Sequence, residues 1–261
     1  MLIFYKDEND KVRCFNADKD TRKKQSYSSS PVQGASSKGT RSEKTKSEGY
    51  RYVTNDLELE KVERNEAVKY DKQPTEEEII RNIGGQDKTK GSCVSLAYVY
   101  VANKAGYNVR DFRGGKSRDI LARGLTGKDI ARLKGVKADI YLNTDDYKAV
   151  THHLLSMKEN KEYVLSVGRH AAIVRKQGSI YQYLELQDKP ELNGWKKLTK
   201  TDLKKRFKCQ KTHTSCGYKM KASSLLIDVE SLGKSSEFID IISYINTEEG
   251  KQQKGIGGYA K

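Results

Sequence analysis

The chain has 261 residues, 35% hydrophobic and 33% charged, with 50 Lys+Arg against 35 Asp+Glu and a formal net charge of +15. That length admits one large domain or a domain with an appendage, and so polar a composition leaves part of the chain without enough apolar surface for a core. Four cysteines with no framework spacing argue against a disulfide-built secreted scaffold, and no run approaches the roughly 18 apolar residues of a membrane span.

Taken in order, Met1 to Tyr5 is too short for a signal-peptide core and runs straight into charge. Asp18 to Tyr50 is mostly Lys, Arg, Ser, Gly, Thr and Asp, which cannot offset its ordering entropy, and reads as disordered or linker. A loosely held helix is expected around Leu57 to Val68, so residues 1–75 are expected to form a flexible, charged N-terminal segment. Thr75 followed by Glu76, Glu77 and Glu78 reads as a capping box opening onto Ile79-Ile80, where the folded domain should start. Asp87 to Gly91 is turn-forming. The apolar run after Ser92-Cys93 predicts a helix to Ala105, closed by Gly106.

Beyond it, Gly106 to Phe112 reads as a strand and Gly114-Gly115 as a turn. Arg118 to Lys134 holds two short helical patterns broken at Gly124 and Gly127. Thr144 or Asp145 can cap a helix through Met157, with Tyr147, Val150, Leu154 and Met157 on one face. Strands follow at Glu162 to Val167, His170 to Arg175 and Ile180 to Leu186, then a basic helix at Lys200 to Phe207 and a strand at Ser224 to Val229. Residues 231–261 read as a C-terminal extension ending in a frayed, Gly- and Lys-rich tail. The fold class is α+β.

Chemistry gathers around Cys93. At a helix start, unpaired N–H groups and the macrodipole favour negative charge, so this thiol is expected to titrate below its free value of about 8.5. The bland alternative is a small buried cysteine. A two-residue turn at Gln177-Gly178 would pair 176 with 179 and place His170 opposite Glu185, with Gln187 diagonal on the same face. A nucleophilic thiol, an imidazole that carries the proton and a third group that orients the ring are what acyl transfer needs. The Cys93 N–H and the side chain of Gln86 are the candidate oxyanion donors. Taken alone, such a hairpin is more often an ordinary exposed one with a polar side.

Other patterns carry less. Cys209, His213 and Cys216, with Cys14 or His152 as a fourth member, have zinc-type donors but no second short-spaced pair, so a local disulfide or free thiols are expected and no metal. His152 and His153 are adjacent on a helix and should point in different directions, at least one of them to the surface. Residues 196–221 hold ten Lys+Arg against the single Asp202. Such a segment suits an anionic partner such as nucleic acid, although charge runs more often form solvated faces.

Gln86, Gly91-Ser92-Cys93 at a helix start, Gly106-Tyr107-Asn108-Val109, His170 opening a strand, and Glu185-Leu186-Gln187 together resemble the papain-like fold. The resemblance is to the compact papain-fold domains of bacterial polymorphic toxins and phage head-associated proteins, and it covers roughly 80–230. Gly194-Trp195 and Arg206-Phe207 suit that family's closing region. The resemblance implies a catalytic domain at 76–230 in which Cys93 is the nucleophile, His170 the acid and base, Glu185 or Gln187 the orienting group and Gln86 an oxyanion donor. The activity implied is proteolysis or deamidation of a protein or peptide amide, with no metal or organic cofactor. A toxin, effector or phage-encoded enzyme is expected to be cytoplasmic, delivered by a signal-independent route, or carried in a virion. The alternative is a basic nucleic-acid-binding or phage structural protein with an inactive papain-like domain.

Overall fold

The computed structural model describes residues 2–6, 12–16, 46–83, 92–110, 115–215 and 217–245. The chain divides into two compact units, Met1–Glu43 and Lys44–Lys261. In the first, β1 (Leu2–Lys6) pairs antiparallel with β2 (Val12–Asn16), Phe4 opposite Cys14.

The second unit starts earlier and ends later than expected. Helix α1 (Glu48–Leu59) is capped by the Ser47 hydroxyl, which accepts from Tyr50 N–H, and it buries Val53 and Leu57. The helix expected around Leu57 to Val68 therefore lies a full two turns upstream. Its apolar positions recur at helical spacing within a charged background, and they form a stripe only because a core is there to receive it. Strand β3 (Val68–Lys69) follows, then α2 (Glu76–Ile83), where the Thr75 hydroxyl accepts from Glu78 N–H and the Glu78 carboxylate from Thr75 N–H. Helix α3 (Ser92–Lys104) runs as expected and ends before Gly106, which has φ +93°.

Next come β4 (Tyr107–Asn108), α4 (Gly115–Leu121), α5 (Gly124–Ile130), β5 (Ala138–Asn143) and α6 (Asp146–Ser156), the last capped by Asp145. Gly124 opens α5 and Gly127 lies inside it, so only the first of the expected breaks exists. The strands β6 (Glu162–Val167), β7 (His170–Gln177), β8 (Ile180–Glu185) and β9 (Gly194–Lys197) follow. Helix α7 (Lys200–Lys205) starts at a Thr199–Asp202 capping box. After β10 (His213–Ser215), β11 (Tyr218–Met220) and β12 (Ala222–Asp228) come α8 (Val229–Gly233) and α9 (Ser236–Ile242). Phe238, Ile241, Ile242 and Ile245 are fully buried, so the residues just beyond 230 belong to the core and not to an extension.

A six-stranded antiparallel sheet in the order β5-β12-β6-β7-β8-β9 divides the unit into layers. Alternate residues of each strand face opposite sides. On one side Val164, Ile173, Leu184, Leu186, Leu225 and Ile227 pack against α3, with α1, α2, α4, α5, α8 and α9 around it. On the other, Leu165, Val174, Tyr183 and Leu226 pack against α6 and Phe207. Among the described residues, no helix is long and apolar enough to cross a membrane.

Candidate active site

Register decides which side chains meet. The β7–β8 turn is Gly178-Ser179, with Gln177 paired to Ile180 and Val174 to Tyr183. Gly178 has φ +58° and Ser179 does not have positive φ, which is the arrangement of a type II′ turn with glycine in its first central place. The turn expected at Gln177-Gly178 would put the positive φ on the second central residue. Moving a two-residue turn by one position shifts every cross-strand partner by two, so the face is kept and the neighbour changes. Continued past Val174–Tyr183, this register sets His170 opposite Gln187, and Glu185 opposite Ala172.

The Glu185 carboxylate is occupied elsewhere. It is 4% exposed and accepts from Arg206 Nε at 2.7 Å and Nη2 at 2.6 Å, and from the backbone N–H groups of Gln187 at 2.9 Å and Leu186 at 3.1 Å. Glu185 is thus the anchor of Arg206, and the expected pairing with His170 is replaced. Gln187 bridges onward: its Oε1 accepts from Arg206 Nη2 at 2.8 Å, and its Nε2 donates to the buried Ser92 hydroxyl at 2.6 Å. This ties the start of α3 to the end of β8. In the sequence Arg206 and Ser92 stand out only as parts of the resemblance, and the structure gives them these contacts.

Cys93 lies at the second position of α3 and is half-buried. Cys93 and His170 line one narrow hollow with Ala171, Glu185 and Gln187. The backbone of Ala171, next to the histidine, lies near enough to the thiol to favour its thiolate form. His170 is 8% exposed and stands edge-on to the Phe207 ring, centroids 4.9 Å apart at 79°. Its strand is set by the tight β6–β7 turn. Gly168 there has φ +63°, and a Cβ on it would lie 2.3 Å from Phe207 O, while Arg169 N–H donates to that same oxygen at 2.8 Å. Residues 206–209 therefore clasp the turn that presents His170.

The electrostatics differ from expectation. Burial pushes the Cys93 thiol up; the Ala171 N–H, the Arg206 charge and the N–H groups of Val94 and Cys93 itself pull it down, but less. The helix start does favour the thiolate, and desolvation outweighs it. Burial holds His170 well below the usual imidazole range, and Arg206 adds to the effect. Both shifts favour the uncharged forms, thiol at Cys93 and imidazole at His170.

Gln86 lies outside the described residues, as does Cys216. His213 Nε2 is 2.7 Å from Asp146 Oδ1, and the Cys209 thiol is pushed up to about 12 by burial and the neighbouring Asp146 and Asp145. Both sit at the α6–β10 corner, and Cys216, the third member of the considered zinc set, lies outside the described residues. A larger hollow lies elsewhere, between Val101, Lys104 and Glu230, and no cysteine or histidine lines it. No protein-family model, curated protein or solved structure matches the chain.

Proposed function

We propose that the chain is a papain-like cysteine hydrolase that cleaves or deamidates protein or peptide amides. The observation that carries this reading is the convergence of a helix-start cysteine and a strand-start histidine on one hollow that Gln187 also lines. In the reaction, the Cys93 sulfur attacks the amide carbon while His170 takes the thiol proton. The imidazolium then returns that proton to the leaving amine or ammonia, and water, deprotonated by His170, releases the acid from the thioester. Because burial favours the uncharged form of both groups, attack and proton transfer are coupled. Gln187 and Arg206 keep the start of α3 and the end of β8 in place, and Arg206 favours the thiolate as it forms. Backbone scission and side-chain deamidation use the same steps. A toxin, effector or phage-encoded enzyme delivered without an N-terminal signal goes with this reading.

Incubation with a mixed peptide library, read by mass spectrometry, tests it. New N-termini or Gln→Glu and Asn→Asp conversions should form with the wild type and vanish with Cys93→Ala. Product formation unchanged in Cys93→Ala contradicts the assignment.

One observation favours a second reading. Eight of the ten cations in 196–221 are exposed lysines, only Lys196 and Arg206 being partly covered. An inactive domain that binds nucleic acid through this face would show affinity that falls steeply with salt and ignores Cys93→Ala.

A further inference from the structure

We propose that Asp139, His152 and His153 form a binding site for a divalent transition-metal ion, zinc by the chemistry of the donor set. One ligand atom from each lies within 4.8 Å of the other two. The site lies on the sheet face opposite α3, where α6 crosses the edge strand β5. Neighbouring residues on a helix diverge by about 100°. These two rings nevertheless converge, because Asp139 reaches up between them from the strand below.

The distances suit a metal. Asp139 Oδ2 is 2.8 Å from His152 Nε2 and 3.1 Å from His153 Nδ1. A tetrahedral zinc with bonds of roughly 2.0–2.1 Å sets its ligand atoms about 3.3 Å apart. The third separation closes by a rotation of His152, whose side chain is 43% exposed, within the plane that the Tyr141 ring leaves to it.

A buried and unsatisfied nitrogen points to a ligand independently. His153 is 0% exposed, and its Nδ1 has no hydrogen-bond partner. The Ser224 hydroxyl donates to Tyr141 O at 3.1 Å, which leaves its lone pairs to accept from His153 Nε2–H at 2.9 Å. In that tautomer the proton sits on Nε2, and the Nδ1 lone pair faces the Asp139 carboxylate oxygen without hydrogen-bond geometry. Two lone pairs at 3.1 Å repel each other, and a cation between them removes the conflict. The Ser224–Tyr141 relay is the kind of outer contact that orients metal-binding imidazoles. Tyr141 also stacks flat on His152, centroids 4.0 Å apart at 13°, which limits the positions of that ring.

Two imidazoles and a carboxylate are donors suited to zinc and its neighbours and poorly suited to magnesium or calcium. Asp139 and His152 are both about two-fifths exposed, so the remaining coordination positions open to solvent. The site is of the open, three-protein-ligand type.

The full chain, stripped with a chelator, is titrated with Zn²⁺ by calorimetry and with Co²⁺ by absorption spectroscopy. One ion per chain should bind with affinity on the order of micromolar. His152→Ala and Asp139→Asn, both at exposed side chains, should each weaken binding by at least about tenfold at an unchanged thermal midpoint of the metal-free protein. Cys209→Ser should leave it unchanged, and the Co²⁺ spectrum should lack a thiolate charge-transfer band. Absence of saturable binding below about 1 mM, a thiolate band, or affinity that survives both His152→Ala and Asp139→Asn overturns the proposal.

Discussion

Removing Arg206 probes the site through its anchor. The Glu185 carboxylate is 4% exposed and has four donors, two of them from Arg206. Arg206→Met keeps much of the stem and leaves a buried carboxylate with two backbone N–H groups and no countercharge. Breaking one side of a buried pair costs roughly 3–5 kcal/mol, and because the Arg206 side chain is 26% exposed, water can reach the gap and the loss should fall near about 3 kcal/mol. Glu185→Gln should cost less, since Arg206 retains neutral partners and partial hydration. The double variant Arg206→Met/Glu185→Gln should be more stable than the sum of the singles predicts, by about 1–3 kcal/mol. Urea unfolding of the four proteins measures this. The same change should raise the Cys93 pKa further and let that of His170 rise, because the cation that favours thiolate and opposes imidazolium is gone. Arg206→Met within about 0.5 kcal/mol of wild type, with additive effects in the cycle, would refute the anchoring argument.

Three further outcomes follow from the packing and the titrating groups. Leu57→Ala should destabilise the protein by about 2–5 kcal/mol in urea unfolding, because Leu57 is 0% exposed in a helix that belongs to the core; a change under about 0.5 kcal/mol would return α1 to the flexible segment. Gly168→Ala should cost at least about 2 kcal/mol and lower reactivity at Cys93, since it clashes with Phe207 O at positive φ and disturbs the turn that presents His170. His170 and His153 are both held below the usual imidazole range, so the unfolded chain binds protons that the folded one does not. Their contribution is complete above about pH 6.5 and falls as pH drops toward the folded-state values, at about 1.4 kcal/mol per pH unit for each. Unfolding free energies between pH 7 and 5 should show that slope, and His170→Ala should reduce it.

Elements with local signals were legible. The capping pairs Thr75–Glu78 and Asp145, the apolar run after Ser92, and the alternation of Glu162 to Leu186 each act within a few residues of chain. Helices α1, α8 and α9 were not legible, because Val53, Leu57, Phe238 and Ile241 are spaced among charges and matter only once a surface receives them. Edge strands β5 and β9 lack the apolar density of the central ones. Within the site, the face bearing His170 and Gln187 could be read from period-two alternation, but the pairing across it hung on one residue of turn geometry. Arg206 was out of reach, since its role depends on a carboxylate 21 residues earlier that only the folded chain brings to it. The sign of the Cys93 shift also turned on burial, which a helix-start argument does not contain.

The most direct test of the central claim is the rate at which a peptide-based electrophile alkylates Cys93, measured against pH for wild type and His170→Ala. With both groups shifted toward their uncharged forms, wild-type labelling should be selective for Cys93 at neutral pH and should depend on His170 accepting the thiol proton, so the variant should lose about 100-fold or more. The thiol's direct titration, followed by ultraviolet absorbance, should lie above its free value of about 8.5. Equal rates in the two proteins, or labelling no faster at Cys93 than at Cys14 or Cys209, would contradict the account and leave Cys93 as a buried structural thiol.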